Sequence, residues 1–595
     1  MARLRTQHRG EQRGPATPAT ARRALLIAGL CALLLVPAAG AAPKTNLTKK
    51  RAIAIFVAND KIADWLRHYP PKTRTIQATY SQQYGNWTIK IWTSIDKVGE
   101  VATGRVQDAT GVVTEAWTGP QVAWKMARGY PGAFGGKEIN SLKIWLGFCL
   151  VFLIGLADLR RPLSLRNLDL LALVSFSVSL WFFNKGHVFT SVPLVYPPLF
   201  YLLGRMVWGV WRGRTGVETR PVWPIWVLAA AAVFLAGFRI GLNVESSNVI
   251  DVGYSGVIGA QRITQGQAPY GHFPVEDDLK ACGPADQDGE IRDRIQTSGL
   301  CESANPSGDT YGPVAYETYI PGYLLFGWGG KWDDLPASHF ASVIFDVLCM
   351  VGLALVGFRF GGARLAVTLA FAWAAWPFTQ YVSNSNTNDA LPPLFLIWGF
   401  WLVTSAFARG VFSALAGWTK FAPLLVAPLW ASYPDARAHL RQKLVFVGGF
   451  LVATVAAFSI LLLEPNLFHA VHEFWKRTIT YQIDRDSPFS IWDWKQYGAG
   501  YPDLHLVQRV LQALLVLAVI AVYFVPRRKT ARQLAALTAA LLIGFEIVLT
   551  HWFYLYLPWF FPFVALVVLT AERETVPAEV AVPRERETRA LVATG

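Results

Sequence analysis

The stretch Leu142–Arg161, LKIWLGFCLVFLIGLADLRR, joins a long apolar run to a pair of arginines. The run, near residues 142–158, is long enough for a helix that crosses a bilayer. Arginines directly after such a run are typical of the cytoplasmic end of a span. If the preceding residues are exported, this stretch therefore predicts a helix that crosses the membrane and ends inside the cell.

The composition of the whole chain extends this interpretation. Its 595 residues are 53% hydrophobic, 13% aromatic and only 16% charged, with a mean hydropathy of +0.31. These values exclude an ordinary soluble enzyme. We predict a mainly α, polytopic helical membrane protein with about eleven spans, near 142–158, 168–184, 188–210, 223–242, 339–358, 365–382, 389–407, 444–463, 506–525, 534–550 and 552–570.

The formal net charge of +15 arises from 55 Lys and Arg against 40 Asp and Glu. In a soluble protein this excess would suggest a nucleic-acid partner. Here the basic residues follow the positive-inside rule, because they concentrate in loops that the order of the spans predicts to be cytoplasmic. Nucleic acid is therefore not expected as a partner. The basic loops are 158–166, 211–220, 359–364 and 527–532, and the charged tail 572–595 is expected on the same side.

The apolar segment Val411–Ala431 is long enough to be a further span. As a single crossing it would put Arg437, Arg441 and Lys443 outside, against the positive-inside rule. We therefore predict that Gly417–Lys420 interrupts the segment and that two half-helices enter and leave on the cytoplasmic side, which requires the irregular backbone to be buried in protein. A complete crossing, with an exception to the topology elsewhere, is the alternative.

The N-terminus has the order of features of a secretory signal peptide. Arg22 and Arg23 precede an apolar run that ends in the small residues of 38–41, so residues 1–41 are predicted to be a signal peptide that is cleaved after Ala41. An uncleaved membrane anchor is the alternative. Either way, the chain after Pro43 is expected to be exported.

Residues 44–138 have the composition of a small exported α+β domain. A helix is predicted around Lys61–His68 and strands at 87–92, 98–106 and 112–117, with a turn at Asp108–Gly111. The helix, the paired strands and the D-x-T-G turn resemble a PepSY-type domain, which implies a binding or regulatory module on the outer surface.

In the membrane domain, 139–571, three segments are predicted to lie together on the outer face: the large loop 243–338, the short loop 383–389 and the loop 464–503. The turn at His551 lies on the same face. The large loop holds Cys282 and Cys301, which an oxidising compartment would allow to pair. The five cysteines show no CxxC or Cys/His spacing, so no zinc site is expected.

Several short, loosely defined motifs follow one another in these outer segments. They resemble those of lipid-linked-sugar glycosyltransferases of the glycosyltransferase C superfamily, especially the bacterial family 87 polyprenyl-phosphate-mannose-dependent enzymes, over roughly Val222–Thr570. The chain departs from that pattern in its exported α+β domain and in three additional spans. The matching motifs are Asp251–Tyr254, Gln261–Arg262, Gly266–Tyr270, Asp309–Pro313, Tyr319–Pro321, Asn384–Asp389, Lys420–Pro423 and Arg485–Ser490.

Transfer of a sugar from a lipid phosphate needs an acidic group that takes the proton of the acceptor hydroxyl and a cationic site for the departing phosphate. Asp251 fits the first requirement, and the resemblance implies that it is the general base of a single inverting displacement. The other interpretation is that Asp251 only caps the helix from Val252 to Arg262, since Asp is a favoured N-cap residue. Asp309 and then Asp389 are the next candidates for the base.

The remaining candidates are substrate-binding residues. The resemblance implies that Tyr254 and Tyr270 shape the sugar site, while exported cations near a membrane boundary could hold the phosphate or serve as interfacial anchors. Lys420 stands inside an apolar segment, where a charge is costly and usually functional. The full set is Tyr254, Arg262, Tyr270, Asp309, Tyr311, Asn386, Asn388, Asp389, Lys420, Arg477, Arg485 and His551.

A divalent cation held by Glu276–Asp278 together with Asp251 is one interpretation of the acidic stretch in the large loop. We favour a solvated loop, because consecutive acids rarely all face one ion. No metal site and no certain cofactor are therefore assigned.

The expected function is transfer of a mannose-like sugar from a polyprenyl-phosphate-sugar to a cell-envelope glycan or glycolipid, at the outer face of a plasma membrane. The alternatives are a transporter or lipid carrier, or a non-catalytic sensor or assembly protein built on a transferase fold.

Overall fold

The computed structural model is described for most of the chain. The signal peptide, the acidic stretch Glu276–Asp278, Cys282, Arg485 and the tail 572–595 lie outside the described residues, so the predictions made for them stay predictions. The described residues are 45–82, 85–93, 100–118, 134–185, 187–211, 223–273, 294–295, 301–302, 308–329, 335–437, 439–483, 487–497 and 501–570.

The first folded module is a small α+β unit. Two helices, α1 (Lys49–Val57) and α2 (Asp60–Leu66), precede four antiparallel strands in the order β1-β2-β3-β4. Apolar residues from the helices and from alternate strand positions form its core, as the period of two predicts. The strands are β1 (Arg74–Ser81), β2 (Asn86–Thr93), β3 (Glu100–Gln107) and β4 (Val113–Thr118).

The sequence predicted this module in part. The helix at 61–68 is α2, and the three predicted strands match β2, β3 and β4, whereas α1 and β1 were missed. The predicted turn is confirmed, because the Gln107 N–H donates to Val112 O (2.9 Å) and Gly111 has a φ of +70°. Asp108 stabilises the turn by accepting hydrogen bonds from Leu47 N (3.0 Å) and Trp87 Nε1 (2.8 Å).

The rest of the chain is mainly helical, as predicted. Its helices are α3 (Leu142–Leu156), α4 (Leu165–Phe183), α5 (Val188–Ser191), α6 (Tyr196–Trp211), α7 (Ile225–Ser246), α8 (Asp251–Thr264), α9 (Pro313–Glu317), α10 (Ile320–Phe326), α11 (Pro336–Ala375), α12 (Pro377–Asn384), α13 (Leu391–Trp401), α14 (Ala406–Thr419), α15 (Ala427–Ala431), α16 (Leu440–Phe458), α17 (Leu467–Trp475), α18 (Tyr481–Ile483), α19 (His505–Phe524), α20 (Ala531–Val548) and α21 (Phe561–Leu569), with a two-stranded ribbon of β5 (Arg294–Ile295) and β6 (Cys301–Glu302).

Among the described residues, six helical segments are long and apolar enough to cross a membrane by themselves: 165–183, 225–246, 336–375, 440–463, 505–524 and 531–548. The other predicted spans are formed by shorter or interrupted helices, such as α3, α6, α13 and α21. Interrupted helices are stable at membrane depth only where neighbouring protein covers them. In agreement, every residue of α21 is buried.

Helix α11 is a helical hairpin and not one straight rod. Gly362 has a φ of +68°, and a Cβ atom on Gly357 would lie 2.5 Å from Ala366 Cα. In a straight helix these two residues would be roughly 13 Å apart, at 1.5 Å per residue. The chain therefore reverses at the Arg359–Arg364 loop, and the two predicted spans at 339–358 and 365–382 run antiparallel.

The interruption predicted at Gly417–Lys420 is also present. Helix α14 ends at Thr419, and Lys420 is extended with φ −141° and ψ 131°. The Arg409 guanidinium donates to Val403 O before the segment, to Trp430 O (3.0 Å) at its end and to Tyr433 O (2.8 Å) after it. Because one side chain contacts both ends, the segment enters and leaves on the same side, and the alternative of a complete crossing is wrong.

Two of the predicted cytoplasmic loops, 359–364 and 527–532, lie at this same end of the bundle, which we call the Arg-rich end. Ala436 N–H donates to Arg527 O (2.9 Å), and Lys529 N–H donates to Pro434 O (2.8 Å). The Arg359 guanidinium donates to Trp401 O (2.5 Å). These two loops, which the positive-inside rule grouped on one side, thus both contact the ends of the interrupted segment or its neighbour α13.

Two buried ion pairs tie the helices together within the bundle. Arg239 of α7 makes a two-pronged contact with Asp346 of α11 (2.9 and 2.5 Å), and Arg205 of α6 makes the same contact with Asp169 of α4 (2.7 Å for both bonds). A charge inside an apolar bundle is costly unless it is paired in this way. Each pair therefore sets which helices are neighbours.

Helices α14 and α16 approach closely through glycines. A Cβ atom on Gly410 would lie 2.0 Å from Phe446 O, and one on Gly449 would lie 2.2 Å from Phe407 O. Only residues without a side chain allow the two backbones to come so near, a common device in membrane helix pairs. This contact holds α14, the first part of the interrupted segment, against α16.

We expect Gly449→Leu to lower the stability of the folded protein by about 1–3 kcal/mol or more, because the new side chain must push α14 and α16 apart. The matched control is Gly448→Leu, where a Cβ atom meets nothing within 4 Å. Thermal unfolding in detergent measures the difference. Equal midpoints for the two variants would contradict the close packing of α14 on α16.

Candidate functional site

Segments that are far apart in the sequence converge at the end of the bundle opposite the Arg-rich end. Asn248 N–H donates to Asn384 O (3.0 Å), and Gly312 N–H donates to Thr419 O (3.2 Å). A Cβ atom on Gly312 would lie 1.9 Å from Trp418 O, so only glycine fits at this crossing. Four of the predicted motif segments, around 251, 311, 386 and 420, are therefore held against one another.

A cavity of about 310 Å³ opens between these segments. Five of the predicted site residues line it: Asp251, Tyr311, Asp389, Lys420 and His551. The other lining residues are mostly apolar or aromatic, and they are Phe134, Ile250, Val252, Thr310, Gly312, Thr419, Phe421, Ala422, Gln482, Phe489, Phe545, Leu549, Phe553, Leu555, Tyr556 and Trp559. An apolar cavity with a few polar groups is the usual form of a small-molecule site.

Asp251 is the first residue of α8, and its side of the helix borders the cavity. The N-cap position belongs to Ile250, with φ −87° and ψ 175°, so the interpretation that Asp251 is merely the N-cap is wrong. A negative charge at the first turn of a helix is stabilised by the partial positive charge of the unpaired backbone N–H groups. Asp251 thus stands at the positive end of the helix dipole, beside the cavity.

Lys420 brings a positive charge to the same cavity. Its ammonium lies 2.5 Å from Asp389 Oδ1, and the side chain is 12% exposed. Three rings surround it, with centroids 5.5 Å (Tyr311), 5.1 Å (Tyr556) and 5.5 Å (Trp559) from Nζ. Such rings attract a cation through their negative faces. The break at the end of α14 places this charge at the cavity end of the bundle.

The loop before Asp389 is rigid. Asn386 has a φ of +51°, and its side-chain amide donates to Ser247 Oγ (2.8 Å) and Asn248 O (3.1 Å). Its Oδ1 accepts a hydrogen bond from Asn243 Nδ2 (3.0 Å). Asn386 therefore acts on the site by shaping the loop, and neither it nor the buried Asn388 lines the cavity.

His551 lies in the turn between α20 and the helical turn Tyr554–Trp559. Its Nδ1 is 3.0 Å from Ser487 Oγ, and its ring packs against Phe489 at 5.6 Å. Ser487 is in turn held by Asp493, whose Oδ2 accepts from Ser487 N (2.8 Å). These contacts hold the imidazole at the cavity wall.

Other predicted site residues lie beside the cavity without lining it. Asp309 accepts a hydrogen bond from Gly271 N (2.9 Å) and contacts Arg477 Nη1 (3.2 Å), and Arg477 also contacts Glu473 (3.1 Å). Burial raises the pKa of Asp309, although Arg477 acts against this. This network positions the neighbouring Thr310, and it weakens Asp309 as an alternative base.

Two tyrosines and one further arginine are likewise outside the cavity wall. Tyr254 packs edge-on against Trp328 (5.7 Å), Tyr270 donates from its OH to Tyr311 O (3.1 Å), and Arg262 lies at the far end of α8. Tyr270 therefore supports the cavity wall at Tyr311, whereas the partner of Tyr254, Trp328, does not line the cavity. Arg485 lies outside the described residues.

Sequence reasoning missed the aromatic wall formed by Tyr556, Trp559 and Phe489. The first two stand in an apolar stretch that was predicted as an uninterrupted span at 552–570. The signal that could have found them is Pro558, because a proline and two large amphipathic rings in one helical turn are unusual in a plain span.

No family model matches the sequence, and no curated protein matches it. Among solved structures, the chain is similar to ArnT from Cupriavidus metallidurans bound to undecaprenyl phosphate, with 16% sequence identity and a TM-score of 0.35. The likeness covers 58% of this chain and 59% of that protein. A likeness this weak gives no information about the activity of this chain.

A pH-dependent contribution to stability comes from Glu317, the last residue of α9. Burial raises its pKa from 4.5 to about 7, because a partly desolvated carboxylate resists ionisation. A folded-state pKa above the unfolded value favours folding while the group is protonated, and this contribution is lost as the pH rises from about 4.5 to 7. We expect Glu317→Gln to raise the unfolding midpoint relative to the parent protein at pH 8 but not at pH 4.

The exposed Glu138→Gln is the matched control and should shift the midpoint equally at both pH values. Differential scanning fluorimetry at the two pH values makes the comparison. A change in the unfolding midpoint of Glu317→Gln that is the same at pH 4 and pH 8 would refute the raised pKa of Glu317.

Proposed function

We propose that the protein is a membrane glycosyltransferase that moves a sugar from a polyprenyl-phosphate-sugar to an extracytoplasmic acceptor. The observation that carries this proposal is that one cavity holds a carboxylate at a helix N-terminus, Asp251, together with the charged side chain of Lys420 and the imidazole of His551. These are the groups that such a displacement needs: a proton acceptor and donors for a departing phosphate.

In the proposed reaction Asp251 is the general base. The acceptor hydroxyl oxygen attacks the anomeric carbon while its proton passes to the Asp251 carboxylate. The bond between the anomeric carbon and the phosphate oxygen breaks, and its electron pair leaves with the polyprenyl phosphate. Because the nucleophile enters opposite the leaving group in a single step, the anomeric configuration inverts.

Lys420 and His551 are proposed to hold the phosphate. Charge-assisted hydrogen bonds to a phosphate are stronger than neutral ones, and they strengthen as negative charge develops on the leaving oxygen. The pairing of Lys420 with Asp389 keeps the ammonium in place between the rings. The aromatic and apolar wall of the cavity suits the first prenyl units and the faces of the sugar ring.

The side and the partners are inferred from the topology that the sequence predicts. If the Arg-rich end is cytoplasmic, the cavity opens at the outer face of the plasma membrane. The donor is then a lipid-bound sugar, which is mannose-like in the family that the motifs resemble. The acceptor is a cell-envelope glycan or glycolipid. The exported α+β module would serve as a binding module, as its PepSY-like features imply.

The decisive experiment is incubation of the purified protein in lipid with a panel of radiolabelled polyprenyl-phosphate sugars and envelope extracts. Release of polyprenyl phosphate with transfer of label supports the proposal. Absence of release with every donor would favour a transporter or a non-catalytic sensor.

We expect Asp251→Asn to reduce turnover by about 10² to 10⁴-fold, because Asn keeps the size of the side chain but cannot accept the acceptor's proton. This loss corresponds to roughly 3 to 5 kcal/mol of barrier and should leave donor affinity nearly unchanged. Single-turnover kinetics and equilibrium binding of the donor separate the two quantities.

Asp503→Asn is the matched control for this variant, since Asp503 pairs with Lys495 near the surface and does not line the cavity. Its turnover should equal that of the parent protein. Near-normal turnover in Asp251→Asn would eliminate Asp251 as the base and would make Asp389 the next carboxylate to test in the cavity.

We expect Lys420→Gln to weaken donor binding by about 10- to 100-fold, as the loss of one hydrogen bond to a charged group predicts. The single substitution also leaves Asp389 as an unpaired buried charge, which costs stability. The double variant Lys420→Gln/Asp389→Asn should recover the stability but not the donor affinity. Recovery of both quantities in the double variant would show that Lys420 is only a structural partner of Asp389.

A further inference from the structure

Helix α17 begins shortly after the span formed by α16 and the helical turn Ser459–Leu463. One face of α17 is packed against the protein, because Ala470 and Phe474 are buried, and the Phe474 ring contacts Phe458 (5.1 Å) and Tyr270 (5.1 Å). The helix is therefore a fixed part of the cavity end of the bundle.

A neighbouring face of α17 is apolar and exposed. Phe468 is 89% exposed, Trp475 57% and Val471 48%. Residues three to four positions apart lie on one side of a helix, so these three side chains form a continuous stripe. An exposed apolar stripe of this kind, on a short helix outside the spans, indicates a surface that contacts an apolar environment.

The link to the span limits what that surrounding can be. Only Glu464, Pro465 and Asn466 separate the end of the span from α17, and three extended residues reach about 10 Å. The Asn466 side chain accepts a hydrogen bond from His469 N (3.2 Å), which sets where the helix starts. Leu462 and Leu463, directly before the link, are also exposed. The helix is thus held at the surface of the bilayer.

The border of the apolar stripe is basic. His469, His472 and Lys476 are exposed, and the charge of the acidic Glu473 beside them is balanced by Arg477 (3.1 Å) and by Lys476 (3.7 Å). An amphipathic helix with apolar residues on one side and basic residues along the border is the pattern of a helix that lies in the headgroup region of an anionic leaflet.

We propose that α17 is an interfacial membrane-binding helix, which inserts Phe468, Val471 and Trp475 among the acyl chains of the leaflet at the cavity end and contacts anionic headgroups through His469, His472 and Lys476. This proposal goes beyond the proposed transferase activity and does not depend on it. A second protein is less suited to this face, since the short link keeps the stripe at the level of the lipid.

The helix also connects the leaflet to the cavity. Glu473 of α17 holds Arg477, Arg477 holds Asp309, and the next residue, Thr310, lines the cavity. The depth of α17 in the leaflet therefore sets the height of this cavity wall relative to the headgroups.

The test is electron paramagnetic resonance of single nitroxide labels in the full chain, reconstituted in phosphatidylglycerol-containing vesicles. Labels at Phe468→Cys and Val471→Cys should be relaxed several-fold more by oxygen than by a water-soluble nickel complex. The adjacent His469→Cys, exposed but on the basic side, is the matched control and should be relaxed more by nickel. Parent protein treated with the same reagent measures background labelling of the native cysteines, of which Cys149 and Cys349 are buried.

Two results would overturn the proposal. Labels at 468 and 471 that nickel relaxes as strongly as the label at 469 would show that the stripe faces water, and labels shielded from both reagents would show that protein covers it. The contact with anionic headgroups is tested by repeating the measurement in phosphatidylcholine alone. The labels should then move towards the water, and an unchanged depth would refute the role of the basic border.

Discussion

A lysine ammonium in an apolar helical bundle needs a counter-charge, and the contact between Lys420 and Asp389 meets this constraint. The pair joins the interrupted segment 406–431 to the loop 384–389. These two segments lie on opposite sides of the contact. If Asp389 were absent, the Lys420 ammonium would lie inside the bundle without this counter-charge. The position of the cavity depends on this contact.

The same requirement repeats through the bundle. Arg239 with Asp346 and Arg205 with Asp169 fix neighbouring helices, and Arg409 gathers three carbonyl oxygens where the interrupted segment returns. Arg239 and Arg409 each have several partners, so each of them orders more than one element at once. Glycines such as those of α14 and α16 add a second kind of close helix contact.

The residues of the proposed active site lie at helix ends and turns that meet at the cavity. Asp251 begins a helix, Lys420 ends one, and His551 stands in a turn. At helix ends and turns, side chains and backbone groups are free to face a ligand, whereas the long helices provide the rigid frame. The interfacial helix α17 adds a support from the lipid side, since its ion pairs extend to the wall of the cavity.

The sequence alone determined the membrane class, the approximate spans, the common end of the loops 359–364 and 527–532 and the interruption near Lys420, because these depend on local hydropathy and charge. It also proposed Asp251, Tyr311, Asp389 and Lys420 as candidates through the motifs that contain them, and His551 through its place at a membrane boundary. Only the tertiary structure decided that these five share one cavity, that Asp309 and Arg477 pair with each other beside it, and that Tyr556 and Trp559 surround Lys420. The reason is physical: a partner for a buried charge and a ring beside a cation come from other segments of the chain, and no local pattern encodes which of those segments will be nearest.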